Sequence, residues 1–84
     1  IVLGQNIPNP ATDNTKIPFY TTVPGKTELR IHSAEGQLLF STTIDAEYGD
    51  NNIEINTANW ASGIYFYTIY LNNTQLTRKM LIQK

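Results

Sequence analysis

The strongest constraint on the fold comes from the last third of the chain, which has the pattern of two strands joined by a two-residue turn. The run from Gly63 to Leu71 is apolar and aromatic, Asn72-Asn73 follows it, and a second strand-like run extends from about Thr74 to Gln83. Because asparagine tolerates positive φ, the Asn pair predicts a type I′ hairpin turn. The first strand is apolar at both parities, which predicts a central strand covered on both faces.

The rest of the chain has the same short, alternating pattern and no helical period. Further strands are predicted around Ile17–Thr21, Leu29–Ile31, Gln37–Ile44 and Ile53–Ile55. Pro18 demotes its run to an edge strand or the start of one, and Gly36 is the expected positive-φ residue of a tight turn. Short strands at close spacing predict an all-β protein, a small antiparallel β-sandwich of two packed sheets.

Composition limits the chain to one domain. Residues 1–84 are expected to form a single unit, with 1–14 an extended N-terminal segment and 15–84 the sandwich. A net charge of −1 argues against nucleic acid as a partner, since such binders need a broad basic face. The absence of cysteine excludes disulfides and thiolate metal sites. The start of the chain has no signal-peptide pattern, so we expect a module of a larger protein.

No cofactor and no catalytic centre are expected. His32, the only histidine, falls on the polar parity of a strand. Ser33 and Ser41 are strand residues and Ser62 is a turn residue, so a Ser-His-Asp triad would require distant residues to converge. Asp45, Glu47 and Asp50 offer oxygen ligands for Ca²⁺, but a solvated loop explains them better, because they do not match an EF-hand.

Two further patterns have a structural explanation beside a functional one. Asn72-Asn73-Thr74 matches a glycosylation sequon, yet the same residues suit the hairpin turn. The aromatic residues of the last third could form a sugar-binding platform, but core packing accounts for most of them. The candidates for such a platform are Tyr65, Phe66, Tyr67 and Tyr70, which Tyr20, Tyr48 and Trp60, in or near loops, could join.

The last strand mixes charge and apolar residues on both faces. Met80 and Ile82 share one parity with Arg78 and Lys84, while Lys79 shares the other with Leu81. From the residues alone, two interpretations stay open: an edge strand protected by charge, or an edge that pairs with a receptor strand. No Asp or Glu occurs from Ile55 onward, and three of the six basic residues, Arg78, Lys79 and Lys84, lie in the last strand, which suggests an acidic receptor groove.

Four segments, taken in order, resemble a known family. They are Asn6-Ile7-Pro8-Asn9-Pro10-Ala11-Thr12-Asp13, then Glu28–His32 leading to Gly36–Leu39, then Ala61–Tyr67, then Lys79–Lys84. Together they resemble the type A C-terminal sorting domain of the type IX secretion system of the Bacteroidetes. The likeness covers nearly the whole chain, although His32 stands where that family usually has an aromatic residue.

The resemblance implies a fold and a function. The fold would be an Ig-like sandwich of about seven strands at the C-terminus of a cargo protein. The outer-membrane translocon would recognise the domain after its cargo enters the periplasm. A sortase-like signal peptidase would then usually replace the domain with a lipopolysaccharide anchor, leaving the cargo secreted or on the outer-membrane surface. The residues implied in recognition are Gly63, Tyr65, Arg78, Lys79, Met80, Leu81, Ile82, Gln83 and Lys84.

Other functions stay open on the sequence alone. An adhesive or carbohydrate-binding sandwich would use Trp60 and exposed tyrosines, and a structural spacer would dock on a neighbouring domain of its parent. Edge strands also permit self-association at high concentration.

Overall fold

A computed structural model describes all 84 residues, which form seven β-strands and no helix. The strands are β1 (Val2–Leu3), β2 (Asn14–Thr21), β3 (Gly25–Ser33), β4 (Leu38–Ala46), β5 (Gly49–Asn56), β6 (Gly63–Leu71) and β7 (Thr74–Ile82). One sheet has the order β1-β2-β5 and the other the order β4-β3-β6-β7, and neighbouring strands are antiparallel throughout. The predicted all-β, Ig-like sandwich of about seven strands is confirmed.

The core lies between the two sheets and follows the period-two alternation of each strand. In β2, for example, Ile17 and Phe19 are buried while Lys16 and Tyr20 are exposed. Fourteen buried residues form one contiguous cluster: Leu3, Ala11, Ile17, Phe19, Leu29, Ile31, Ala46, Ile53, Ile55, Tyr65, Tyr67, Ile69, Met80 and Ile82. The Cα trace is only 16 Å thick, which accommodates two sheets about 10 Å apart and no third layer.

Strand β6 is central, as predicted, but it is covered on one face only. Tyr65 and Tyr67 point into the core, while Ile64 and Phe66 on the opposite parity are 44% and 38% exposed. The prediction of a strand covered on both faces is therefore wrong, because the domain has no second layer outside this sheet. The apolar side chains on the outward parity of β6 therefore do not contribute to the core.

Strand β2 is also central, so the prediction of an edge strand at Pro18 is wrong. The Gly4 N–H donates to the Pro18 carbonyl at 2.8 Å, which places the backbone of Pro18 on the side of the short strand β1. Proline has no N–H to return. The carbonyl of Gly4 instead accepts the hydroxyl of Tyr67 at 2.7 Å. A side chain thus replaces the ladder hydrogen bond that proline cannot make.

The N-terminal segment packs against both sheets. Leu3 and Asn6 are buried, and Ala11 is buried completely. β1 extends the three-stranded sheet, whereas Ala11 forms a parallel bridge with Ile82 of the four-stranded sheet. The peptide bonds Ile7-Pro8 and Asn9-Pro10 are both cis. The first eleven residues therefore connect the edges of the two sheets along one side of the sandwich.

Candidate functional site

The last hairpin, β6–β7, contains all but two of the residues that the family resemblance assigns to recognition, and those two, Gln83 and Lys84, follow it directly. The strands pair from Gly63 opposite Ile82 to Leu71 opposite Thr74, which leaves Asn72 and Asn73 as a two-residue turn. The hairpin is thus confirmed. The type I′ turn is wrong, because it needs positive φ at both residues and only Asn72, at 54°, has it.

Three of the predicted recognition residues belong to the core. Tyr65, Met80 and Ile82 are buried on the inner face of the hairpin. The hydroxyl of Tyr65 donates to the carbonyl of Ala61 at 2.6 Å, which ties the chain before Gly63 to β6. These side chains shape the hairpin but present no surface to a partner.

The outer edge of β7 is covered from Lys79 onward. The Gln5 side-chain amide donates to the Lys79 carbonyl at 2.8 Å, and the Leu81 N–H donates to the Asn9 side chain at 3.0 Å. The backbone of Ala11 then bonds the Leu81 carbonyl and the Gln83 N–H, at 2.8 and 2.9 Å. Residues 5–11 therefore occupy the place where a receptor strand would pair.

Arg78 fixes the same segment from the side of the hairpin. Its Nε donates to the Leu3 carbonyl at 2.9 Å, and its Nη1 donates to the Gln5 side chain at 3.2 Å. The charged head is therefore engaged inside the domain. Its role in the fold is to hold β1 and the following residues against β7.

Arg78 thus acts as a clasp between the N-terminal segment and β7, and Lys84 acts as a second clasp. Its ammonium group donates to three backbone carbonyls, those of Thr12, Thr57 and Ala58, at 2.6, 2.8 and 3.1 Å. It also lies 3.7 Å from the Asp13 carboxylate. An ammonium group has three N–H donors, so all are used within the domain.

Lys79 differs from these two cations. It lies on the outer face of the four-stranded sheet, directly opposite Phe66 on β6, and it is exposed. The ion pairs of the domain are Lys16–Glu54, Arg30–Glu28 and Lys84–Asp13, so Lys79 faces solvent without an acidic partner. Leu81 shares this outer face and is half-buried.

Tyr67 is the residue that sequence reasoning did not distinguish from the other aromatics. Its side chain is fully buried, its hydroxyl donates to the Gly4 carbonyl, and it accepts the Asn6 N–H at 3.0 Å. Burial raises the pKa of this phenol above its ordinary value of 10.0, although the Asn6 N–H and the charge of Arg78 oppose the shift. The one feature of the sequence that could have indicated this role is a tyrosine, rather than a phenylalanine, at an inward-facing position, because a buried tyrosine hydroxyl needs a hydrogen-bond partner.

The other candidate sites do not assemble. His32 lies half-buried on the outer face of β3, with Leu38 and Phe66 as its cross-strand neighbours. Asp45, Glu47 and Asp50 do not converge into a group that could hold a metal ion. The neighbouring turn is organised instead by the Asn51 side chain, which bonds the backbone of Glu47 in both directions.

The aromatic residues are distributed over separate places and form no common platform. Tyr20 and Tyr48 make an edge-on pair with centroids 6.4 Å apart at the three-stranded sheet. Trp60 packs between Phe40 and Tyr65, against the core. Tyr70 lies under the guanidinium of Arg30, 5.0 Å from its ring centroid. Glu28 beside Arg30 raises the pKa of that guanidinium.

Comparison with known protein families shows to which family the chain belongs. The sequence model of the secretion system C-terminal sorting domain matches residues 6–83, and the chain belongs to this family. The domain is therefore a sorting signal for type IX secretion, which implies interaction with that export machinery, attachment to a parent cargo, and export to the cell surface or the medium. The adhesive and spacer alternatives are not favoured.

One further comparison and one feature of the structure complete this description. No curated protein matches the sequence. The structure contains no helix with the length and apolar character needed to cross a membrane.

Proposed function

We propose that this domain delivers its parent protein to the outer-membrane translocon of the type IX system by presenting the β6–β7 hairpin. The observation that carries the proposal is the family match over residues 6–83, which spans the whole hairpin and all but the first residue of the segment that covers its edge. The domain would act by binding alone, without catalysis. The residues proposed for recognition are Gly63, Tyr65, Arg78, Lys79, Met80, Leu81, Ile82, Gln83 and Lys84.

The contacts support different roles for these residues. Burial of Tyr65, Met80 and Ile82 supports a role in forming the hairpin. The bonds of Arg78 to the Leu3 carbonyl and of Lys84 to the Thr12 carbonyl support a role in keeping the N-terminal segment in place. Direct contact with the machinery would then fall to the exposed remainder of the hairpin.

The route follows from the proposed partner. The cargo would reach the periplasm first and pass the translocon with this domain folded. A sortase-like signal peptidase would then act at the cell surface, where an anionic lipopolysaccharide would replace the domain. The parent protein would finish secreted or bound to the outer-membrane surface.

An export assay in a Bacteroidetes host tests the proposal. A fluorescent protein with a Sec signal is fused to residues 1–84, and a matched fusion ends before the domain. We expect fluorescence outside the cell, or on its surface, only for the first fusion, and fluorescence in the periplasm for the second. Periplasmic retention of the first fusion, with the domain shown to be folded, would refute a sorting role.

A third fusion separates the folded signal from its bare sequence. Met80→Asp places a charge in the core, so the domain should not fold while all exposed residues of the hairpin stay unchanged. We expect this fusion to remain in the periplasm. Export at the level of the unaltered fusion would show that the machinery reads an unfolded peptide.

A further inference from the structure

The geometry of the hairpin limits where a partner can touch it. One edge is hydrogen-bonded to β3, and the inner face is the core of the sandwich. The other edge is covered by residues 5–11 from Lys79 to Gln83. What remains is the outer face, together with a short open stretch of edge at Gln75 and Thr77.

The outer face carries a compact apolar patch around one cation. Ile64 lies opposite Leu81, and Phe66 lies opposite Lys79, so these four side chains form two adjacent rows across the hairpin. The second row continues through His32 to Leu38, and Leu38 is 51% exposed. We call these six residues the outer patch: His32, Leu38, Ile64, Phe66, Lys79 and Leu81.

The charge of the outer patch defines what it can bind. Lys79 has no ion-pair partner in the domain, and neither β6 nor β7 contains an acidic residue. Glu28, on the same sheet face, is held by two hydrogen bonds from Arg30, at 2.9 and 3.2 Å. Glu35 borders the patch only at its end, near Ile64. A carboxylate brought by a partner would therefore find Lys79 available.

We propose that the outer patch is the surface by which the export machinery reads this domain. The partner is a protein surface that sets apolar side chains on Phe66 and Ile64 and a carboxylate against Lys79. Apolar contact would supply affinity, and the single charge pair would fix orientation. This inference rests on the proposed sorting function. It replaces pairing at the strand edge by contact with the sheet face.

The test uses the export fusion with substitutions on exposed positions. Lys79→Glu and Phe66→Thr alter the outer patch, and Lys79→Arg keeps its charge. Lys26→Glu makes the same charge reversal at the far end of the same sheet, and Tyr48→Thr removes an aromatic residue that is 67% exposed on the other side of the domain. Melting of each purified domain confirms that it folds.

One further variant tests the open stretch of edge. The N–H of Thr77 points away from β6, because the alternate residues of β7 make the ladder bonds to that strand. Thr77→Pro therefore blocks pairing with a new strand while sparing the hairpin ladder.

The expected result separates the two modes of recognition. Lys79→Glu and Phe66→Thr should each reduce the exported fraction at least tenfold, while Lys79→Arg, Lys26→Glu, Tyr48→Thr and Thr77→Pro stay within twofold of the unaltered fusion. Normal export of folded Lys79→Glu and Phe66→Thr would overturn the inference and leave the sorting role intact. Loss of export in Thr77→Pro alone would also overturn it, in favour of the edge. Retention of the unaltered fusion would refute the sorting role and this inference with it.

Discussion

The hydroxyl of Tyr67 offers the sharpest test of how the N-terminal segment is held. The substitution Tyr67→Phe removes one oxygen atom from the core and leaves the Gly4 carbonyl and the Asn6 N–H without their partner. An unsatisfied buried polar group costs about 1–3 kcal/mol. The Asn6 N–H is buried and falls in that range, while the Gly4 carbonyl is part-buried and falls at its lower end, so the two together should lower the free energy of unfolding by roughly 2–4 kcal/mol. A domain of 84 residues has a total of only about 4–13 kcal/mol.

Urea and thermal unfolding of the isolated domain, followed by circular dichroism, measure this loss. For a domain of this size, roughly 2–4 kcal/mol corresponds to a fall in melting temperature of about 8–30 °C. The matched control is Tyr48→Phe, since the Tyr48 side chain is exposed and makes no hydrogen bond in the domain, and it should change stability by less than about 0.5 kcal/mol. A loss below about 0.5 kcal/mol in Tyr67→Phe would refute the reasoning.

The same residue predicts a pH dependence. Because burial raises the pKa of Tyr67 in the folded state, the folded domain keeps this proton at pH values where the unfolded chain has released it. The stability that depends on the neutral phenol is fully present below about pH 10 and is lost as the pH rises through the folded pKa. In Tyr67→Phe this loss is absent. The stability difference between the two proteins should therefore shrink above pH 10, by at most about 1.4 kcal/mol per pH unit. A difference that stays constant up to pH 11 would contradict this assignment.

Three other substitutions test separate parts of the structure, all by urea unfolding. Met80→Ala should cost about 2–5 kcal/mol, because Met80 is fully buried in the cluster that joins β7 to the core, and a loss below about 1 kcal/mol would contradict that packing. Gly4→Ala should cost about 1–3 kcal/mol, since its Cβ would lie 2.9 Å from Pro18 Cγ, and an unchanged midpoint would show that β1 can shift. Lys84→Met should cost about 1–2 kcal/mol by removing the charged hydrogen bonds to three carbonyls, whereas Lys26→Met, the control, should cost nothing measurable; equal effects would argue against the clasp.

Sequence predicted the architecture well where alternation was regular. In β2 and β5, inward residues such as Ile17 and Ile53 alternate with polar ones, and their register follows from one buried face. The hairpin at Asn72 could also be predicted, because a two-residue Asn turn between two strand-like runs has few alternative conformations. These features depend on local patterns that any single sequence displays.

Features that depend on distant partners could not be predicted. Pro18 indicated an edge strand because nothing local shows that a Tyr67 hydroxyl replaces the missing donor. Ile64 and Phe66 indicated a strand covered on both faces, because the sequence does not distinguish an apolar residue that is buried in a core from one that lies on an exposed sheet face. Among the three cations of the last segment, Arg78 and Lys84 bond backbone carbonyls whereas Lys79 is unpaired, and only the folded structure shows this difference.

The clasp between the two ends of the chain has a consequence for biosynthesis. Arg78 and Leu3 are 75 positions apart, and the last strand supplies core residues that the first strand needs. Folds built on such distant contacts form slowly, because the chain loses the entropy of closing a large loop before the contacts stabilise it. A polypeptide interrupted before Met80 also lacks the core side chains of Met80 and Ile82, so we expect that it does not close the sandwich. Recognition of the closed domain would thus reject cargo that lacks this last strand, so that the export signal also reports that the strand has been made.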